Sequence, residues 1–324
     1  MVQYLASLAC ISAAAIWGFA FVVIKDSLTY VSPLYIIAFR FTIAAISFAC
    51  IFWKKLKKIN RKYILKASLI GLFLFLAYLF QTIGCNFTSP GKNAFFTTIY
   101  VILVPYLSWI FVRQRPKWFV FLSVFIQIVG IGFLSLSDEK GVWFIMNRGD
   151  VLTLICGIFY ALQIFFQGFF SQGSDENDPV IYAFLEFVVA GLLAWIFSPF
   201  YDGQTSSFTL VLQKVPFEAF LNFKVLLSVL YLGIFSTAIS FTLQNIGLKY
   251  LKSSIGTILL SFESVFGMLF AILIPVNGVR ERLSVYGIIG CLLIFAAIIL
   301  AQKDNNTETV KNKESDDNKK LYNI

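Results

Sequence analysis

Histidine is absent from all 324 residues, and charged residues make up only 13% of them. The first absence removes the commonest general base, proton shuttle and zinc ligand. The second leaves the chain far short of the roughly 25% charged residues of a soluble domain. Cysteine is sparse as well. Cys10, Cys50, Cys85, Cys156 and Cys291 form no CxxC pair and fall within or at the ends of apolar runs, which predicts buried free thiols rather than disulfides or metal ligands. No GxxxxGK[ST] loop is present, so the chain has no phosphate cradle for driving work with a nucleotide. The lone GIG at 130–132 reads as packing glycines. A membrane-embedded enzyme would need a nucleophile–base pair or clustered carboxylates at an interface, and Arg40 and Glu186 are too sparse for that, so the sequence predicts no enzyme and no cofactor.

What the chain has in excess is apolar length. Hydrophobic residues reach 59%, phenylalanine alone contributes 37, and the mean hydropathy is +0.81. Uninterrupted apolar runs of about 20 residues each read as membrane spans. Ten can be drawn, at 4–24, 33–53, 64–85, 93–112, 117–136, 149–171, 180–200, 224–246, 252–274 and 284–301. The first lacks a charged n-region and is long enough to span, so it is expected to be a retained helix rather than a cleaved signal. The long connection at 201–223 carries Phe208, Leu210 and Val211 and is expected on the membrane surface. Residues 303–324 are polar, mixed in charge and nearly free of apolar side chains, which predicts a disordered tail. The expected partners are the lipid bilayer and a small-molecule substrate, with no nucleic acid; the protein is expected to be a monomer or homodimer.

Orientation follows from lysine and arginine in the loops. With the N-terminus cytoplasmic, 17 basic residues lie inside, including Lys54, Lys55, Lys57, Lys58, Arg61, Arg113, Arg115 and the lysines of the tail. Eight lie outside: Lys25, Lys92, Lys140, Arg148, Lys214, Lys224, Arg280 and Arg282. This places both termini in the cytoplasm. The acidic run Asp175, Glu176 and Asp178 also falls inside, which the rule permits because acidic residues contribute little to it.

The chain also repeats itself. QTIGCNFTSPGKNAFFTTIYVILVP at 81–105 aligns without a gap on QNIGLKYLKSSIGTILLSFESVFGM at 244–268, pairing Gln81 with Gln244 and Gly84 with Gly247. At an offset of 146, Pro33–Ala44 aligns on Pro179–Ala190, pairing Phe41 with Phe187 and Arg40 with Glu186; at 143, Trp17 falls opposite Tyr160. Five spans per repeat is an odd number, so the second repeat must enter the membrane inverted, with a site near the midplane between the halves. The expected fold is an all-α integral membrane protein of ten transmembrane helices in two inverted five-helix repeats, 1–140 and 141–302.

These residues carry a family resemblance. The Trp17–Gly18 pair, FRFTIAA around Arg40, FTSPGKNAFFTTIYVILVPYLSWIF, YLKSSIGTILLSFESVFGMLFAILI and RERLS together resemble the drug/metabolite transporter superfamily, and within it the ten-span EamA type. Ser264 stands where that family often has proline after the glutamate of span nine. The resemblance spans residues 4–301. It implies a secondary transporter, an exporter or exchanger of a small organic metabolite such as an amino acid, working by alternating access in the plasma (cell inner) membrane. The alternative from another class is a membrane-embedded enzyme acting on a lipid-linked substrate through Arg40, Glu186 and Glu263.

Charge inside hydrocarbon marks the candidate site, because each such group is costly, at roughly 2.5–3.5 kcal/mol at a helix centre, and faces a cavity or a partner. Only Arg40, Glu186 and Glu263 lie well inside the spans. Arg40 is expected to bind an anionic group, or to pair with Glu263 when no substrate is bound. Glu263 is expected to couple protonation to transport, with Glu186 as a second coupling candidate. Trp17, Tyr100 and Tyr160 would supply stacking faces, and Gln81, Gln244 and Asn93 hydrogen bonds. Free helix N-termini are expected at Asn93 and Gly256, after the polar breaks at 86–93 and 249–256, where their positive ends would favour a carboxylate.

Overall fold

A computed structural model describes residues 2–113, 115, 117–135, 146–171, 178–201, 217–251, 253–276, 278–282, 284–297, 299 and 300. The tail from 303, most of the 201–223 connection, Asp175 and Glu176 lie outside the described residues. The helices are α1 (Val2–Ser27), α2 (Pro33–Leu56), α3 (Arg61–Phe87), α4 (Pro90–Thr97), α5 (Tyr100–Val112), α6 (Trp118–Ser135), α7 (Arg148–Ser171), α8 (Pro179–Tyr201), α9 (Phe223–Leu230), α10 (Ser240–Tyr250), α11 (Ser253–Leu273) and α12 (Val285–Ala297). A π-helical segment, Tyr231–Ile239, joins α9 to α10. Seven stretches are long and apolar enough to cross a membrane, taking α4–α5 as one and α9 through Gly247 as another; three shorter apolar helices complete the ten expected spans. No extended strand occurs among the described residues, only an isolated bridge between Val276 and Val279.

Short polar residues start these helices. Asn60 accepts from the Tyr63 amide at 3.0 Å and Asn222 from the Lys224 amide at 3.0 Å. Asn147 and Asp150 cap each other's amides reciprocally at the start of α7. Pro33 and Pro90 open α2 and α4, where a missing N–H costs nothing. Lys25, at the end of α1, donates to the carbonyls of Cys85, Asn86 and Thr88 and so satisfies the C-terminus of α3.

The inverted repeat is visible in the packing. α3 packs on α7, and its repeat mate α10 packs on α1. α4 and α5 pack on α7, and their mate α11 packs on α1. α2 meets α8 and α4 meets α11 as self-paired contacts. Matched aromatic pairs repeat the same geometry: Phe41–Tyr78 centroids lie 5.0 Å apart and Phe187–Phe241 centroids 5.2 Å apart. Glycine permits the closest approaches. A Cβ on Gly18 would sit 2.5 Å from Phe266 Cβ, and one on Gly267 would sit 2.5 Å from Ala94 Cβ, so α1, α11 and α4 meet nearly backbone to backbone. Gly130 of the GIG lies equally tight against Gly290 and Ile294 of α12.

Three expectations change. All five cysteines are free, but Cys50 is exposed on the outer surface of the bundle and Cys291 is only partly covered. The break after span three is shorter than expected: α3 continues to Phe87 and α4 starts at Pro90, so Asn93 lies inside a helix. The amides at its N-terminus are not open to a ligand, because Glu281 accepts from Ser89 Oγ and, at 3.0 Å, from the Gly91 amide. The irregularity of the second repeat lies in span eight, whereas α11 runs on unbroken through Ser264.

Candidate functional site

Where the halves meet, the bundle holds a partly open cavity with about 40 Å³ for the centres of water-sized molecules, several times the roughly 10–15 Å³ that one water needs. Twelve of its sixteen lining residues form repeat-related pairs: Trp17 with Tyr160, Ala20 with Gln163, Phe21 with Ile164, Tyr78 with Phe241, Gln81 with Gln244, and Tyr100 with Glu263. The cavity therefore lies on the pseudo-two-fold axis. Its chemistry comes from the pairs whose members differ.

Arg40 forms one wall. It lies seven residues into α2, about 10 Å below that membrane face at 1.5 Å per residue. Gly233 lets span eight come close at this level, since a Cβ there would meet Ile43 at 2.6 Å and the Arg40 carbonyl at 3.2 Å. The π-helical segment then offers two consecutive hydroxyls to one guanidinium: Arg40 Nε donates to Thr237 Oγ1 at 3.1 Å and Nη2 to Ser236 Oγ at 3.0 Å. The Ser236 carbonyl accepts from Trp17 Nε1 at 2.8 Å. The guanidinium lies over the Tyr78 ring, 4.4 Å from its centroid. Its remaining nitrogen, Nη1, is buried without a hydrogen-bond partner.

Glu263 forms another wall. It sits ten residues from either end of α11, about 15 Å deep and close to the midplane. The hydroxyl of Tyr100, its repeat mate, hydrogen-bonds it across the axis. Among the described residues no ion pair joins it to Arg40. The expected pairing does not form, and the two ionisable groups are held separately on one cavity, because Ser236, Thr237 and Tyr78 already position the guanidinium.

Amides and hydroxyls fill the space between. Tyr160 donates to Gln81 Oε1 at 3.2 Å and shares a hydrogen bond with Tyr78. Gln81 Nε2 reaches Thr97 Oγ1 at 3.3 Å. Gln244 Oε1, on the opposite side of the axis, is buried without a partner.

Two sequence candidates stand away from the cavity lining. Asn93 is fully buried and ties spans three, four and six together, donating at 3.1 Å to both the Gln81 carbonyl and Thr153 Oγ1. Glu186 is also fully buried, held by Gln163 and Gln167 of α7. The sequence reading passed over Tyr78, Ser236, Thr237 and Phe241. Tyr78 and Phe241 had a signal: the 163-residue alignment reaches them three positions before Gln81 and Gln244. The hydroxyls of span eight had none. No group of three or more histidine, cysteine or acidic side chains converges as a metal site among the described residues.

Comparison with known proteins agrees with this architecture. The profile of the EamA-like transporter family matches residues 4–136 and 147–302. An uncharacterized transporter of Archaeoglobus fulgidus is 30% identical over 295 residues, covering 89% of this chain and 82% of that protein. The uncharacterized transporter YoaV of Bacillus subtilis is 21% identical over 296 residues, 90% of this chain and 95% of that one. One crystal structure superposes with a TM-score of 0.63 at 16% identity, covering 91% of this chain and 96% of the other, a likeness of fold alone.

Proposed function

The chain belongs to the EamA-like transporter family, and from that premise we propose that it carries a small zwitterionic metabolite, an amino acid being the simplest, across the plasma membrane by alternating access. One observation carries this reading. Arg40 and Glu263 face the same cavity without pairing with each other, and Arg40 Nη1 is buried there without a hydrogen-bond partner. A ligand carboxylate completes the Arg40 fork at Nη1, where a planar bidentate contact is strongest. A ligand ammonium is drawn to Glu263 and to the Gln244 carbonyl oxygen. Trp17, Tyr100, Tyr160 and Phe241 offer apolar faces to the rest of the molecule. A neutral, purely cationic or purely anionic solute leaves Arg40, Glu263 or both without a matching group, which is the costly outcome when that group is charged. The basic loops, 17 against eight, orient the protein with both termini in the cytoplasm. Transport in either direction, as exporter or exchanger, uses the same site.

The test is a thermal-shift series on the purified protein: apolar amino acids, each beside its decarboxylated amine and its deaminated acid. The zwitterion should raise Tm while the two single-charge analogues should not. An amine or acid that stabilises as strongly as its parent amino acid would overturn the zwitterion assignment.

A further inference from the structure

Of the two carboxylates well inside the spans, Glu186 is left unused by the substrate reading. Its side chain is fully buried, and it does not line the cavity. Both oxygens take amide donors from α7 alone: Gln163 Nε2 reaches Oε2 at 3.0 Å, and Gln167 Nε2 reaches Oε1 at 3.5 Å. Gln163 also donates to Gln167 Oε1 at 2.8 Å, and Gln167 to Asn245 Oδ1 of α10 at 3.0 Å. The result is a carboxyl held by two amides, one of them tied to a third, between spans six, seven and eight.

A structural ion pair would explain such a residue, but no cation meets it among the described residues. The ionisable groups around α8 are engaged elsewhere. Arg40 of α2 holds Ser236 and Thr237. On the same helix Lys55 pairs with Asp178 at the membrane face. Tyr63 of α3 accepts from the Asp178 amide at 2.8 Å and packs its ring against Tyr182 of α8. Tyr78 of α3 and Tyr160 of α7 bond each other, and Tyr250 of α10 is exposed at that helix's end. Glu263 is bound by Tyr100. A carboxyl adds one capacity an amide lacks, that of taking up and losing a charge, and carboxyls buried in membrane spans serve proton pathways.

We propose that Glu186 is the binding site of a proton coupled to transport, separated from the substrate cavity by the side chain of Gln163. This rests on the transporter reading. The step is a reversible protonation: Glu186 Oε1, the oxygen with the longer amide contact, takes a proton from water and later returns it, and no other covalent bond changes. When protonated, Oε1 becomes a donor and needs an acceptor, which Gln167 supplies by turning its amide. Gln163 links the two sites because it borders the cavity and binds Glu186 at once. A substrate that hydrogen-bonds to Gln163 draws it from the carboxyl and opens Glu186 to the cavity. The device exists in one repeat only, since Ala20 stands opposite Gln163 and Arg40 opposite Glu186.

Infrared difference spectroscopy of the full-length protein in lipid bilayers tests this without any substrate. Acid-minus-alkaline spectra should contain the C=O stretch of a protonated buried carboxyl. That band should persist in Glu263→Gln, with any contribution of its own removed, and be lost in Glu186→Gln. Gln163→Leu, which keeps the carboxyl, should shift the band's frequency and so provides a readout if Glu186→Gln fails to fold. A band unaltered by both Glu186→Gln and Gln163→Leu would overturn the proposal, and so would spectra with no such band. Loss of the band on exchanging choline for sodium chloride at constant pH would also overturn it, in favour of a metal cation. Failure here with zwitterion binding intact removes the proton site alone. Failure of zwitterion binding leaves the spectrum interpretable.

Discussion

At the scale of the residue, the site is built from broken symmetry. Arg40 faces Glu186 in the alignment and Tyr100 faces Glu263, so two matched positions carry a cationic or aromatic side chain in one half and a carboxyl in the other. Much of this was legible in sequence because charge in an apolar run is expensive and therefore conspicuous. Arg40, Glu263 and the matched pairs Trp17/Tyr160 and Gln81/Gln244 all line one cavity. Ser236 and Thr237 were not legible, because a hydroxyl in an apolar run is common and binds its own helix by default. Asn93 lay in the right stretch, yet its side chain points into a helix contact. The geometry at Arg40 yields a prediction. Lysine there keeps the charge but has one compact ammonium in place of a planar fork that bonds two hydroxyls and stacks on Tyr78. Arg40→Lys should weaken zwitterion binding by about 1.5–3 kcal/mol, the range for a hydrogen bond to a charged group. Thermal-shift titration measures this, and unchanged affinity would show that only the charge matters.

At the scale of the element, two of the spans that carry the site are irregular. Span four breaks between α4 and α5 at Thr98 and Ile99, just before Tyr100. Span eight passes through the π-helical segment at Ser236 and Thr237, where Thr237 Oγ1 and Ser240 Oγ reach back five residues to the carbonyls of Leu232 and Phe235. π-helical turns recur at functional sites because they re-aim side chains without ending the helix. Sequence periodicity places helices but carries no signal for a local change from α to π turns, so this feature was invisible beforehand. The glycines make a sharper statement. Gly18 has no room for a side chain, whereas a Cβ on Gly168 of α7 would meet nothing within 4 Å. Gly18→Val should therefore destabilise by roughly 1–3 kcal/mol through overpacking. Gly168→Ala should be neutral or stabilising by up to about 1 kcal/mol, the difference in helix propensity. Comparing the two Tm values in one detergent checks both.

At the scale of the whole molecule, helix ends fall on two faces. Lys55 and Asp178 join one face at 2.8 Å, and Asp26 and Lys224 join the other at 2.8 Å. The first face also carries Trp53 beneath Lys57 and Trp109 beneath Arg115, aromatic and basic anchors suited to a membrane interface. If that face is cytoplasmic, as the loop charges require, Lys58→Cys on a cysteine-free background should resist an impermeant thiol reagent applied to intact cells. Leu221→Cys, at a position 87% exposed near the other face, should label. The reverse pattern would invert the protein in the membrane. The ten-span plan and its repeat were readable from hydropathy and self-alignment alone, because lipid imposes a period and a length that water does not. The central claim remains that two separated charges on the repeat axis select and move a zwitterion. Its most direct test is flux into proteoliposomes of the amino acid giving the largest thermal shift, with wild type beside Arg40→Gln, Glu263→Gln and the double variant. Each single variant should lose about tenfold or more in flux, ~1.4 kcal/mol per decade, while remaining monodisperse and helical. Wild-type flux from a well-folded double variant would contradict the account.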